Sequence, residues 1–189
     1  MTDQPKKLLC CAILKQEIEH ILQNEKVEVH YLDAALHVDL KSLLSSVTNA
    51  LETLGDRENL TLVFGTGCHP QMAELVARTR CHGIQARNCI EMLLGDKMAE
   101  MDKEARTFYL TTGWLNNWQK IFVDGLKWDK IDARQNFGFY DRIVLLDTGL
   151  TPLDDEKILE FFDFAEVPIE IVPVDTKHLE KLLTTASAF

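Results

Sequence analysis

Four residues of this chain have side chains that could do chemistry together: Cys11, His37, Cys68 and Cys89. Three thiolates and one imidazole form a tetrahedral zinc set, and three cysteines alone can hold an iron–sulfur cluster with one iron open to substrate. No C-x-x-C or H-x-x-x-H pair brings them together locally, so only the fold can assemble them. Cys68 lies in Leu60 to Met72, where an apolar run ends in Gly65-Thr66-Gly67 and Pro70 follows at the expected first turn of a helix. That places a thiol between the carboxyl end of a strand and a helix N-terminus, where ligands bind open α/β sheets and where a thiol pKa is lowered. The plain alternative is a buried thiol in a βα turn.

Neighbouring residues allow further roles. His69 could orient Cys68 or bind an anion, or stand exposed in the turn. Glu17, in the first turn of the first helix, could reach the crevice as a base or sit on the surface. Asp147 is a candidate to support the site from behind its ligands, or an ordinary turn residue. The Gly65-Thr66-Gly67 turn could cradle an anion, with Cys68 as a metal-free nucleophile. It lacks the third glycine of a dinucleotide fingerprint and the Lys-Ser/Thr of a P-loop, so nucleotide binding has little support. Cys10 should face the opposite side of its strand from Cys11, and Cys81 precedes a strand at the wrong edge; both read as structural.

The elements that must position these residues alternate. Strands are predicted over Lys7 to Ile13, Lys26 to Leu32, Leu60 to Phe64, Gly83 to Ala86, Ala105 to Thr111, Arg142 to Leu146 and Ile169 to Val174. Helices are predicted over Leu14 to Gln23, Asp39 to Leu54, Pro70 to Thr79, from Asn88 to Gly95, and near the end over Asp154 to Phe164 and Lys177 to Leu183. This alternation indicates an α/β, Rossmann-like three-layer fold with a largely parallel sheet. In such a sheet Cys11, Cys68, Cys89 and His37 all fall near carboxyl ends and can converge. Residues 1–189 are expected to form one domain, with a small helical lid around 96–140.

Composition narrows the partners. A formal charge of −10 and a pI near 5.0 argue against nucleic acid and anionic membrane. No apolar stretch approaches the roughly 20 residues of a membrane span, and the first, Leu8 to Leu14, does not resemble a secretion signal. A cytoplasmic protein is expected, in which five cysteines serve as thiols or metal ligands rather than disulfides.

Several stretches together resemble the uncharacterised domain-of-unknown-function 1638 family of methanogenic archaea and anaerobic bacteria: Cys11-Ala12-Ile13-Leu14-Lys15-Gln16-Glu17, Leu36-His37, Phe64-Gly65-Thr66-Gly67-Cys68, Arg87-Asn88-Cys89-Ile90, Leu94-Gly95, Leu110-Thr111-Thr112-Gly113-Trp114 and Leu146-Asp147-Thr148-Gly149-Leu150. Many relatives read Tyr-Gly-x-Cys before the central cysteine and Asp-Cys in place of Asn88-Cys89. The resemblance implies an anaerobic setting and an association with corrinoid-dependent methyl transfer. The expected function is then a thiolate-rich metal site, zinc or iron–sulfur, in methyl or one-carbon metabolism. It would serve either as an enzyme methylating a small-molecule thiol or as a metal or cofactor accessory protein to corrinoid or methyltransferase proteins. The alternative is a metal-free α/β enzyme or anion-binding domain using Cys68 and the Gly65 to Gly67 turn.

Overall fold

The computed structural model describes residues 5–55, 57–186 and 188. Among the described residues seven strands, all paired in parallel, divide between two sheets instead of forming one. The first sheet has the order β2-β1-β3-β4, from β1 (Lys6–Cys11), β2 (Val27–Leu32), β3 (Leu60–Val63) and β4 (His82–Gly83). Its centre is buried throughout, with Leu8, Leu9, Cys10, Leu60 and Leu62 inaccessible, as expected of parallel strands covered on both faces. Helices α1 (Lys15–Ile21), α2 (Leu40–Leu54) and α3 (Met72–Thr79) connect these strands. Asp39 starts α2 by accepting from Lys41 N and Ser42 N, and Gly55, at φ +60°, ends it.

Two helices, α4 (Cys89–Leu94) and α5 (Lys97–Glu104), lead into the second sheet, of order β5-β6-β7: β5 (Thr107–Thr111), β6 (Arg142–Asp147) and β7 (Ile169–Pro173). Between β5 and β6 lie α6 (Thr112–Asn116), a π-helical segment over Gln119–Gly125, and α7 (Lys130–Phe137); α8 (Asp155–Ala165) and α9 (Lys177–Thr185) follow β6 and β7. Phe122, in the π-helical segment, packs against Phe108, Trp128, Phe137 and Phe161, giving this half an aromatic core. The α/β, Rossmann-like reading with parallel strands therefore holds.

The two halves meet along residues that follow β1 on one side and β5 and β6 on the other. A Cβ built on Gly113 would stand 1.9 Å from the carbonyl oxygen of Ile13, so only glycine allows α6 to seat against the turn after β1. Thr148 Oγ1 donates to Glu17 Oε1 at 3.3 Å, Thr151 Oγ1 to Gln16 Oε1 at 3.1 Å, and Lys120 pairs with Asp33.

Two boundaries differ from expectation for local reasons. The helix expected at Pro70 begins at Met72, because residues 68–71 form a turn in which Met72 N donates to His69 O. The strand expected over Gly83 to Ala86 is only His82–Gly83, since the carbonyls of Ala86 and Arg87 accept from Thr66 N and Gly67 N and not from a neighbouring strand. Asp96 to Glu104, which could be a lid or a surface helix, contains the surface helix α5, with no buried residue.

Candidate functional site

Cys11 is the last residue of β1, His37 lies in the 3-10 turn Ala34–Val38 after β2, Cys68 follows β3, and Cys89 opens α4. All four line one cavity, together with Leu14, Ile18, Phe64 and Met92. It has room for about 10 Å³, close to the size of a single water. Topology rather than spacing thus brings together the four residues singled out in the sequence.

Cys11 Sγ and His37 Nδ1 stand 3.8 Å apart. Two ligands at the usual sulfur and nitrogen distances from one tetrahedral zinc are roughly 3.6 Å apart, so this pair spans about one edge of such a site. His37 Nδ1 also lies 3.2 Å from the carbonyl oxygen of Ala34. With the proton on Nδ1 the ring donates to that carbonyl; with it on Nε2 the lone pair of Nδ1 faces Cys11. Burial holds the imidazole pKa below its ordinary value and favours the neutral form that a ligand requires. Among the described residues no three His, Cys, Asp or Glu side chains stand as a ready-made metal-holding group. The donors fit a soft metal in kind, and gathering them fully around one ion requires side-chain movement.

The thiols are held protonated. Burial raises all three pKa values: Cys11 to far above the usual thiol range, Cys89 to about 12, and Cys68 by a smaller step. The neighbouring sulfurs add to the rise at Cys11 and Cys89, because thiolates side by side repel. A hydrogen bond from the Trp114 side chain works in the opposite direction at Cys89. The expectation that a helix end would activate Cys68 is therefore reversed. The helix starts four residues later, at Met72, beyond the reach of its first turn.

The other candidates separate from this group. Gly65 lines the cavity, but the Gly65-Thr66-Gly67 turn is not an open anion cradle. Thr66 N donates to Ala86 O at 2.9 Å, Gly67 N to Arg87 O at 2.7 Å and Cys68 N to Gly65 O at 3.0 Å. The glycines are needed for close approach and take no positive φ: a Cβ on Gly65 would meet the Arg87 carbonyl oxygen at 2.2 Å. His69 is buried, and its Nδ1 accepts from Gln71 N at 3.0 Å, which fixes the turn before α3. Glu17 is 1% exposed and bonds Thr148 at the seam between the halves; burial raises its pKa. Asp147 is the last residue of β6, and its side chain accepts from Gly149 N. Cys10 and Cys81 are buried, the latter 3.2 Å from Thr79 Oγ1.

One contributor reads differently in the sequence. Trp114 looks like part of a helical core stripe with Trp118 and Phe122, yet its ring lies 5.9 Å from that of His37 and its side chain bonds Cys89. The available signal was its place in Thr111-Thr112-Gly113-Trp114, directly after a strand's carboxyl end.

Fold and site define a class: a parallel α/β protein with a cysteine- and histidine-lined cavity at the carboxyl ends of its first strands. Residues 31–183 match the family described as "Protein of unknown function (DUF1638)", and the chain belongs to that family. The match includes His37, Cys68 and Cys89; Cys11 precedes it. No curated protein and no solved structure matches the chain.

Proposed function

We propose that the protein binds a single soft metal ion, zinc in the first instance, through Cys11, Cys68, Cys89 and His37. The observation that carries this reading is the convergence of these four residues, from four separate elements, on one ion-sized cavity. The Cys11–His37 separation supports it, being about one ligand-to-ligand edge. Cavity size favours one ion over an iron–sulfur cluster. Thiols with raised pKa disfavour Cys68 as a metal-free nucleophile, and the internally bonded glycine turn disfavours anion binding there.

When bound, the metal would hold thiolates as thiolates at neutral pH. With His37 inside the cavity and Trp114 against both His37 and Cys89, the residues favour four protein ligands over three with an open position. A structural or carrier role then comes before thiol methylation. The one-carbon setting enters this proposal as delivery of a metal or cofactor to corrinoid or methyltransferase partners. All five cysteines are free, which suits the reducing cytoplasm we assign it, and no helix among the described residues is long and apolar enough to cross a membrane.

The test is elemental analysis of protein purified anaerobically and of protein reconstituted with zinc, or with iron and sulfide. One zinc per chain, lost in Cys68→Ser and Cys89→Ser variants that keep their fold, is expected. Failure to retain any stoichiometric metal after reconstitution would overturn the reading.

A further inference from the structure

A second cavity lies away from the cysteines, between the carboxyl-terminal end of α4, the start of α5 and the start of α9. It has a volume of about 310 Å³, within the range of small-molecule sites. Its floor is apolar, from Leu93, Leu94 and Val174, and its rim carries Lys97, Lys177, His178 and Lys181. In a chain of net charge −10 this is a local reversal of sign: three lysines and a histidine face one carboxylate, Asp175. That carboxylate is already engaged, accepting from Lys177 N at 3.0 Å and pairing with Lys177 Nζ at 3.6 Å. Among the described residues Lys97 and Lys181 have no ion-pair partner.

The histidine is set in place by backbone geometry. Gly95, at φ +54° in the joint between α4 and α5, would have a Cβ 2.9 Å from the Cε1 of His178, so the absence of a side chain there makes the notch that receives the ring. The cavity also opens just beyond the carboxyl end of β7, where parallel α/β sheets commonly receive ligands. Cations held together on a half-apolar rim repel one another until an anion enters, and phosphate oxygens can accept from several ammonium groups and an imidazole at once.

We propose that this cleft binds a small molecule carrying a phosphate or pyrophosphate group, with Lys97, Lys181 and His178 on the anion and Leu93, Leu94 and Val174 against the rest of the ligand. The proposal is independent of the metal reading, since none of these residues lines the cysteine cavity.

The probe is inorganic pyrophosphate, titrated calorimetrically into the full chain at constant ionic strength set with chloride. Saturable binding of one equivalent is expected, weakened about tenfold or more in Lys97→Gln/Lys181→Gln and in His178→Gln. It should be unchanged in Lys103→Gln/Lys130→Gln, which removes the same charge elsewhere, and in Cys68→Ser. Circular dichroism confirms that each variant is folded, and the wild-type titration stands on its own if one is not. Absence of saturable binding in the wild type, or equal weakening in the control pair, would overturn the proposal.

Discussion

A buried thiol flanked by other thiols keeps its proton, and this makes the cysteine cavity a pH-dependent device whatever it binds. The folded pKa values lie above the ordinary thiol value of about 9, Cys89 at about 12. A group whose pKa is raised on folding contributes stability that is complete below the unfolded value and is lost as pH climbs through the folded one. The metal-free protein should therefore lose stability between about pH 9 and 12, and Cys89→Ser should flatten that decline, as followed by urea denaturation across this range. Alkylation by iodoacetamide should be slower than for a free cysteine at pH 7.5, with no rate plateau by pH 10. A fast plateau near neutral pH would instead mark an activated nucleophile.

At His37, replacement by alanine should weaken zinc retention at least tenfold while costing only about 1 kcal/mol of stability, through loss of the contact with Trp114. The ligand candidates were legible in the sequence because cysteine and histidine are sparse and each followed a readable strand or began a capped helix. Trp114 was not, since an aromatic at helical spacing has the same sequence signature whether it packs in a core or stands beside a site histidine. The Cys68 pKa was misjudged because burial decides it, which the turn did not reveal, and because Pro70 suggested a helix two residues too early.

At the scale of elements, glycines that admit backbone from a neighbouring element are the most sensitive points. Gly113→Ala should destabilise the protein by about 3 kcal/mol or more, because the clash is with the Ile13 carbonyl and cannot be relieved by a rotamer change. Gly55→Ala meets nothing within 4 Å and should cost about 1 kcal/mol, from its positive φ alone. The comparison of their denaturation midpoints separates close approach from backbone strain. Most strands and helices were readable from period and turn residues: the helix read from Asn88 has that residue as its cap, accepting from Glu91 N, and the one read from Asp39 begins at Leu40 with Asp39 as its cap. What periodicity could not give was the pairing of strands. Central and edge strands of a parallel sheet have the same local patterns whether the chain forms one sheet or two, and the division rests on contacts between distant segments.

For the whole molecule, the seam between the sheets decides whether the halves unfold together. It contains Glu17, nearly inaccessible and bonded to Thr148, with a pKa raised by burial. Such a carboxyl gives its full stabilisation below the unfolded value of about 4.5 and loses it as pH rises through the folded one. Glu17→Gln, which keeps an acceptor for Thr148, should raise stability at pH 7 relative to the wild type and lose that advantage toward pH 4. All three tryptophans lie in the second half, so fluorescence follows that half while far-ultraviolet circular dichroism follows both. Coincident transitions are expected if the seam couples the two sheets into one cooperative unit; separated transitions would divide the chain into two domains.

The close seating of Gly113 on Ile13 also has a consequence in time. The walls of the cysteine cavity are complete in sequence once Met92 has been synthesised, whereas Trp114 emerges from the ribosome more than twenty residues later. At ordinary synthesis rates of about 5–20 residues per second, that interval lasts on the order of a second. A nascent chain would then present its three thiols and its imidazole before Trp114 takes its place beside His37, so the cavity walls can gather before α6 docks on the turn after β1.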